Sequence, residues 1–169
     1  MTRTARRSYG APMARQLWLL RHGEAEPHDA RSTDDERNLT ERGERQSRAA
    51  GRAFAALEIT FQAVYTSPKV RALQTARLAC ESLGCEPLEH QPLREGFSAD
   101  DALELLHADE RVLVVGHDPD FSQVVHDLTG AQIAMKKGGV AGIRIDGTRG
   151  ELMVLLRPRE IDRLAEPAP

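Results

Sequence analysis

Basic and nucleophilic side chains follow three apolar segments of the sequence. Arginine binds phosphate oxygens through a planar fork, and a neutral imidazole nitrogen can attack phosphorus. Neighbouring cations disfavour the imidazolium form, so a histidine placed among arginines is expected to keep a free lone pair. The three groups therefore predict a phosphate site. They are Arg21-His22-Gly23-Glu24, Ser67-Pro68-Lys69-Val70-Arg71 and Gly116-His117-Asp118.

Two arginines of these groups are positioned to hold one phosphoryl group. Arg21 and Arg71 would clamp it from two sides, and the gathered positive charge requires an anion to offset its desolvation. Gly23 has no side chain, so the backbone there could approach the phosphoryl group closely. We expect catalysis to rest on these donors rather than on a metal ion.

A metal site is the alternative chemistry for the same region. Potential ligands are close in sequence, but no pair has the helical spacing of a zinc-protease motif, and the two arginines would repel a dication. The sequence therefore favours a metal-independent site. The potential ligands are His22, Glu24, Glu26, His28 and Asp29, with His117 and Asp118 as further candidates.

Strands and helices alternate along the chain. This alternation predicts a three-layer α/β/α sandwich with a mainly parallel central sheet. In such a sheet ligands bind beyond the carboxyl ends of the strands, where the three polar groups fall. The predicted strands are 16–20, 63–66, 88–92, 111–116, 140–145 and 152–156, and the predicted helices are 40–57, 70–83, 100–108, 120–128 and 158–164.

Length and composition limit the remaining possibilities. A chain of 169 residues fits one domain, which we place at residues 16–165, with residues 1–15 as a disordered N-terminal tail. A net charge of −3 and 4% aromatic residues argue against a nucleic-acid partner. Since the apolar runs are too short for a membrane span or a signal peptide, we expect a cytoplasmic protein without a membrane partner. Cys80 and Cys85 are expected to remain reduced thiols, too far apart to bridge if their segment is helical.

The three polar groups together resemble the motifs of the histidine phosphatase superfamily, which includes cofactor-dependent phosphoglycerate mutases and many phosphatases. The matching segments are Leu20–Glu24, Ser67–Ala76 and Val114–Pro119. The short chain, the segment Asn38–Gly43 and the segment Lys136–Gly139 are most similar to the SixA-type phosphohistidine phosphatases.

The resemblance implies a role for each site residue. His22 would be the nucleophile, Arg21 and Arg71 the phosphate ligands, and His117 the second histidine of the pocket, with no metal or cofactor. Glu95, in Leu93-Arg94-Glu95, matches the proton-donor segment of mutase-like members, whereas SixA-type members often lack a carboxylate there. Glu24, at the rim of the pocket, is the alternative proton donor. The simpler interpretation is an exposed loop charge for Glu95 and a solvated side chain for Glu24.

The resemblance also implies a reaction. We expect a metal-independent phosphatase that acts through a phosphohistidine intermediate, with phosphohistidine on a protein as the favoured substrate. Only one short helix fits between Glu95 and the strand that begins at Arg111, too little chain for a long lid over the site. The alternatives are a phosphatase of small phosphoesters and a non-catalytic phosphate-recognition module.

Overall fold

Six strands form one sheet in the computed structural model, which describes residues 14–167. Four neighbouring strands are parallel, and the hairpin adds one antiparallel strand and one strand that again runs in the common direction. The prediction of a mainly parallel sheet is therefore confirmed. The strands are β1 (Arg15–Arg21), β2 (Ala63–Thr66), β3 (Leu88–Glu89), β4 (Arg111–Gly116), β5 (Val140–Asp146) and β6 (Arg149–Leu156), in the order β3-β2-β4-β1-β5-β6.

Helices cover both faces of this sheet, as predicted for a three-layer sandwich. The pleat sends alternate side chains of β1 to opposite faces, so Leu17 and Leu19 enter one core and Trp18 and Leu20 the other. The helices are α1 (Glu41–Ala56), α2 (Val70–Leu83), α3 (Ala99–Leu105), α4 (Asp120–Thr129) and α5 (Pro158–Ala165). Two of them, α3 and α4, cover the first core, and the other three cover the second.

The central strands bring the three polar groups to one edge of the sheet. β1 and β4 are adjacent and parallel, with Arg21 opposite Gly116, and β2 ends beside β4 with Thr66 opposite Val115. His22, Ser67 and His117 each follow directly after one of these strands. The strand ends therefore place the predicted site residues together.

Local sequence signals account for where the helices begin and end. Thr40 caps α1, because its hydroxyl accepts a hydrogen bond from the Gly43 N–H at 3.1 Å. Gly84 ends α2 in the left-handed conformation, with a φ angle of 65°. No helix in residues 14–167 has the length and apolar composition needed to cross a membrane.

Several local predictions need correction. β6 begins at Arg149, three residues before its predicted start, and α3 ends at Leu105, three residues before its predicted end. β3 spans Leu88–Glu89, shorter than predicted, because the chain then enters a 3₁₀ turn at Gln91–Leu93. Arg15 already belongs to β1 instead of the predicted tail, of which residues 1–13 lie outside the described residues. The helical geometry on which the separation of the two cysteines was predicted does not extend to Cys85: α2 ends at Leu83, and the turn at Gly84 brings the Cys85 thiol to 3.0 Å from the Cys80 sulfur, with both thiols free.

Candidate active site

His22 lies at the centre of the candidate site. It follows β1 and is buried. Its Nδ1 lies 2.7 Å from the Gly23 carbonyl, which can only accept a hydrogen bond. Nδ1 therefore carries the proton, and Nε2 keeps its lone pair. Burial, followed by the positive surroundings, lowers the pKa of His22 to about 3 even though the Gly23 bond favours protonation. His22 is thus a neutral imidazole with a nucleophilic nitrogen.

Arg71 contacts that nitrogen. It is the second residue of α2, and its Nε donates to His22 Nε2 at 3.4 Å. Its Nη1 and Nη2 donate to the backbone carbonyl and the side-chain carboxylate of Asp34, at 2.9 and 3.0 Å. Burial lowers the pKa of Arg71, and Asp34 partly offsets that effect. Arg71 therefore brings a buried positive charge next to His22 Nε2.

His117 forms the opposite wall of the site. Its ring centre is 5.3 Å from that of His22. Its Nε2 lies 2.8 Å from the Ser67 hydroxyl, whose oxygen also accepts from the Lys69 N–H at 3.2 Å. With the Ser67 hydroxyl donating to Nε2, the His117 proton lies on Nδ1; with the hydroxyl accepting through its second lone pair, the proton lies on Nε2.

His117 Nδ1 has no hydrogen-bond partner within the described chain. The atom is buried and makes no hydrogen bond to any residue from 14 to 167. Burial, followed by the charge of Arg71 and Lys69, lowers the pKa of His117 to about 3, so this ring is neutral as well. A buried polar nitrogen without a partner is costly, and in the tautomer that carries its proton on Nδ1 an anionic oxygen in the pocket would satisfy it.

Arg21 connects the pocket to a neighbouring loop. Its Nη1 donates to the Met135 carbonyl at 2.6 Å, and its buried Nε has no hydrogen-bond partner within residues 14–167. The Gly138 N–H lies 3.1 Å from the Arg21 carbonyl and 2.9 Å from that of His22. The loop therefore fixes both backbone and side chain of Arg21, and burial lowers the pKa of its guanidinium.

The structure adds Asp34 to the site, a residue that sequence reasoning missed. It lies in a 3₁₀ turn at Asp34–Glu36 and pairs with Arg71 and with Arg37 at 2.8 Å. Burial would raise the pKa of Asp34, but Arg71 and Arg37 outweigh it and lower that pKa to about 2. The sequence requires an anion among these cations, but the spacing of a charged loop does not identify which carboxylate supplies it.

The structure gives Gly23 a packing role. A Cβ atom at Gly23 would lie 2.6 Å from the backbone oxygen of Gly43 in α1, so the missing side chain makes room for that helix. The Gly23 N–H donates to the Thr75 hydroxyl at 3.1 Å. The reason we predicted for this glycine, close approach to the phosphoryl group, stays a prediction.

Glu95 and Glu24, the two carboxylates that the sequence offers as proton donors, form no hydrogen bond with His22 or His117. Glu95 is exposed and makes no hydrogen bond or ion pair with any described residue. Its neighbour Arg94 pairs with Asp35, which joins this segment to the 3₁₀ turn. Glu24 accepts from the Thr40 hydroxyl at 2.9 Å and pairs with Arg42 at 3.4 Å. The role of Glu95 as proton donor therefore stays a prediction.

Two of the potential metal ligands, Glu26 and His28, contact other protein groups. Glu26 accepts two hydrogen bonds from Arg31, and His28 lies 3.1 Å from Asp34. Between residues 14 and 167 no three His, Cys, Asp or Glu side chains converge on a point where they could hold a metal ion. The charge of this pocket instead comes from Arg21, Arg71 and Lys69.

This arrangement has the chemistry of phosphoryl transfer. A neutral histidine presents its Nε2 beside the buried guanidinium of Arg71, and the half-buried Arg21 and the unpartnered Nδ1 of His117 lie near it. Such an arrangement can offer a phosphoryl group a nitrogen lone pair together with hydrogen-bond donors for its oxygens.

Comparisons with known proteins agree with this chemistry. Residues 17–102 match the model of the histidine phosphatase superfamily, branch 1. An uncharacterized protein of Picosynechococcus sp. is 31% identical over 160 residues, covering 85% of this chain and 97% of the relative. A 2,3-bisphosphoglycerate-dependent phosphoglycerate mutase of Parvibaculum lavamentivorans is 36% identical over 104 residues, which are 54% of this chain and half of the mutase.

The fold has a counterpart among solved structures. The protein histidine phosphatase SixA, solved in complex with tungstate, superposes with a TM-score of 0.79 at 22% sequence identity. The superposition covers 86% of this chain and 99% of that one. At this level of identity the likeness concerns the fold.

Proposed function

The chain belongs to the histidine phosphatase superfamily, and we propose that it removes phosphoryl groups from histidine side chains of proteins through a covalent intermediate on His22. The proposal includes no metal ion. The observation that carries it is the state of His22: Nδ1 is held by the Gly23 carbonyl and Nε2 faces Arg71 at 3.4 Å.

The proposed reaction has two transfers. In the first, the lone pair on His22 Nε2 forms a bond to phosphorus while the phosphorus–nitrogen bond of the substrate breaks, and the substrate imidazole leaves with a proton from solvent. In the second, water attacks phosphorus, the bond to His22 breaks, and inorganic phosphate leaves. Arg21, Arg71 and the Nδ1 proton of His117 would hold the equatorial oxygens throughout.

The stretch after Glu95 supports a large substrate. It contains one helix, α3, before β4 begins. Ala102 and Leu105 of α3 are buried in the same core as Leu17. This helix is therefore part of the sandwich and does not form a lid. A phosphate displayed on a protein surface could reach such a site.

The test is to trap the intermediate. The protein is mixed with a histidine-phosphorylated peptide, quenched within milliseconds and analysed by mass spectrometry. We expect a phosphoryl group on His22 that is stable in alkali and lost in acid. His22→Asn should abolish it, since the attacking nitrogen is gone, and circular dichroism should show an intact fold. A phosphate-recognition module without activity would bind the peptide and yield no phosphoenzyme.

A second measurement concerns the fork of Arg71. Arg71→Lys keeps the charge but not the planar fork, and should lower kcat about 100- to 1000-fold. Arg77→Lys is the matched control, because Arg77 is an exposed residue of the same helix. An effect below about threefold at Arg71 would show that this residue does not contact the phosphoryl group in the transition state.

The exposed carboxylate of Glu95 supports one alternative, a phosphatase of small phosphomonoesters. An alkoxide leaving group needs a proton, which Glu95 could supply, whereas imidazole leaves readily. Glu95→Gln is therefore tested on an alkyl phosphate and on a phosphohistidine peptide. A wild type that prefers the alkyl phosphate, and loses that activity about 100-fold on mutation, would replace the phosphohistidine assignment with this one.

A further inference from the structure

We infer that a cationic groove beside the phosphate pocket binds an acidic segment of the phosphorylated protein, next to its phosphohistidine. This inference rests on the proposed function, because it names the kind of protein that the same pocket would serve. The groove consists of two adjoining cavities, of about 490 and 650 Å³. Arg42, Gln46, Pro158 and Arg159 line both of them, so they form one continuous depression.

The charge of the groove is opposite to that of the whole chain. Eight Lys or Arg side chains and three carboxylates line the two cavities, whereas the chain carries a net charge of −3. The excess is greatest at the end that contains Arg21, where Glu24 is the single acidic residue among six cations. A concave surface of one sign attracts an oppositely charged partner.

Several of these cations lack a partner in the protein. Arg42 pairs with Glu24 and Arg157 with Glu160. In the described part of the chain, by contrast, no carboxylate lies within 4.0 Å of the charged nitrogens of Lys136, Lys137 or Arg159. All three side chains are exposed. They are available to an external anion at no cost in broken ion pairs.

A tight turn fixes the two lysines next to the pocket. The Gly139 N–H donates to the Lys136 carbonyl at 2.8 Å, and Gly138 has a φ of 78°, which a side chain would disfavour. The same turn contacts the Arg21 and His22 carbonyls through the Gly138 N–H. A segment held by Lys136 and Lys137 would therefore be adjacent to the phosphohistidine.

The length of the groove favours a peptide over a metabolite. Arg42, Arg45 and Arg52 lie on one side of α1, and from Arg42 to Arg52 the helix rises about 15 Å. An extended peptide covers this distance in about five residues. A small phosphoester could contact only the cations at the end of the groove that contains Arg21.

The lining favours carboxylates over nucleic acid. Single-stranded nucleic acid binds through aromatic stacking as well as charge, and none of the side chains that line either cavity is aromatic. Ala49 and Pro158 supply small apolar surfaces between the arginines. These features suit an acidic peptide.

The test compares two histidine-phosphorylated peptides that differ in charge. One carries four glutamates after the phosphohistidine, and the other carries four glutamines. At low ionic strength we expect wild type to hydrolyse the glutamate peptide with a kcat/KM about tenfold higher, and added salt to reduce the difference. Arg45→Glu/Arg159→Glu should reduce the preference to about twofold or less.

Matched controls separate this effect from general changes. Arg144→Glu/Arg149→Glu alters the net charge equally, but its residues lie on the β5–β6 hairpin and not in the groove. This variant should keep the preference of wild type. Affinity is also measured directly, by fluorescence anisotropy of the unphosphorylated glutamate peptide, which requires no catalysis.

The outcomes distinguish the two proposals. If neither phosphorylated peptide is hydrolysed although an aryl phosphate is, the proposed function fails, and the anisotropy measurement still decides on the groove. Equal kcat/KM for both peptides, or glutamate-peptide binding that Arg45→Glu/Arg159→Glu does not weaken, would overturn the groove inference. Stronger binding of a single-stranded oligonucleotide of equal charge would overturn it as well.

Discussion

Asp34 occupies the fork of Arg71, the group that we expect to bind the phosphoryl oxygens. The carboxylate accepts from Nη2 at 3.0 Å, and Lys69 lies 3.8 Å from it. Its pKa of about 2 keeps it ionised at neutral pH. An incoming anion must therefore share or displace a contact that the protein already makes.

Removing this charge should strengthen anion binding. Asp34→Asn keeps the shape of the side chain and leaves the positive charge of Arg71 without its neutralising partner. We expect the inhibition constant of inorganic phosphate, measured with an aryl phosphate as substrate, to fall about fivefold. Glu36→Gln is the control, because Glu36 is an exposed residue of the same 3₁₀ turn and makes no ion pair with any described residue. An unchanged constant for Asp34→Asn would mean that the two anions do not compete at Arg71.

At the scale of single residues, the sequence predicted the arginines and histidines of the site and missed the groups that they contact. The arginines and histidines that come with the ends of β1, β2 and β4 are visible as motifs, because the strands before them are apolar. The contact between Asp34 and Arg71 joins residues 37 positions apart, and the tautomer of His117 depends on the Ser67 hydroxyl. Neither contact has a periodic signal in the sequence.

The approach of α1 to the loop after β1 is the closest packing near the site. A Cβ at Gly43 would lie 2.0 Å from the Glu24 backbone oxygen, and backbone cannot move aside as a side chain can. Gly43→Ala should therefore destabilise the protein by about 2 to 4 kcal/mol, although alanine favours helices.

Chemical denaturation provides the measurement for Gly43→Ala. Glu44→Ala is the control, since Glu44 is an exposed position in the same turn of α1 and should change the free energy of unfolding by less than about 0.5 kcal/mol. A stabilising effect of Gly43→Ala would mean that the helix moves away from Glu24 without cost.

The sequence predicts where helices and strands begin and end better than it predicts the order of the strands in the sheet. Thr40 and Gly84 mark helix ends by their own chemistry, and the hairpin of β5 and β6 is local. The order β3-β2-β4-β1-β5-β6 depends on contacts between distant strands. β3 was predicted too long because a short edge strand and a 3₁₀ turn that contains Pro92 share the same apolar composition.

Two buried neutral histidines make the stability of the whole molecule depend on pH. The pKa values of His22 and His117 are about 3 in the folded protein, below the ordinary value of 6.5 that applies when the chain is unfolded. Between these values the unfolded chain binds more protons, so stability falls as the pH falls from about 6.5 towards 3. Each histidine contributes up to about 1.4 kcal/mol per pH unit.

Urea denaturation between pH 7 and 4.5, in buffers without phosphate, measures this loss. This pH range lies above the one in which protonation of Asp34 lowers stability, since the Asp34 carboxyl titrates near and below pH 4 in the unfolded chain. His22→Asn should show a shallower decline than wild type, because one of the two groups is absent. Identical slopes for both proteins would show that His22 takes up a proton in the folded state.

The hairpin turn between β5 and β6 lies at the end of the sheet opposite the candidate site. Val140 pairs with Leu20 near the site, whereas Ile145 pairs with Arg15 at the other end of β1, about 17 Å away along the strand. Gly147, at a φ of 62°, closes the turn in open space. A fluorescent protein inserted at this turn, or a surface anchor attached there, would leave the pocket facing outward. The molecule could then be immobilised in one orientation and still receive a substrate as large as a protein.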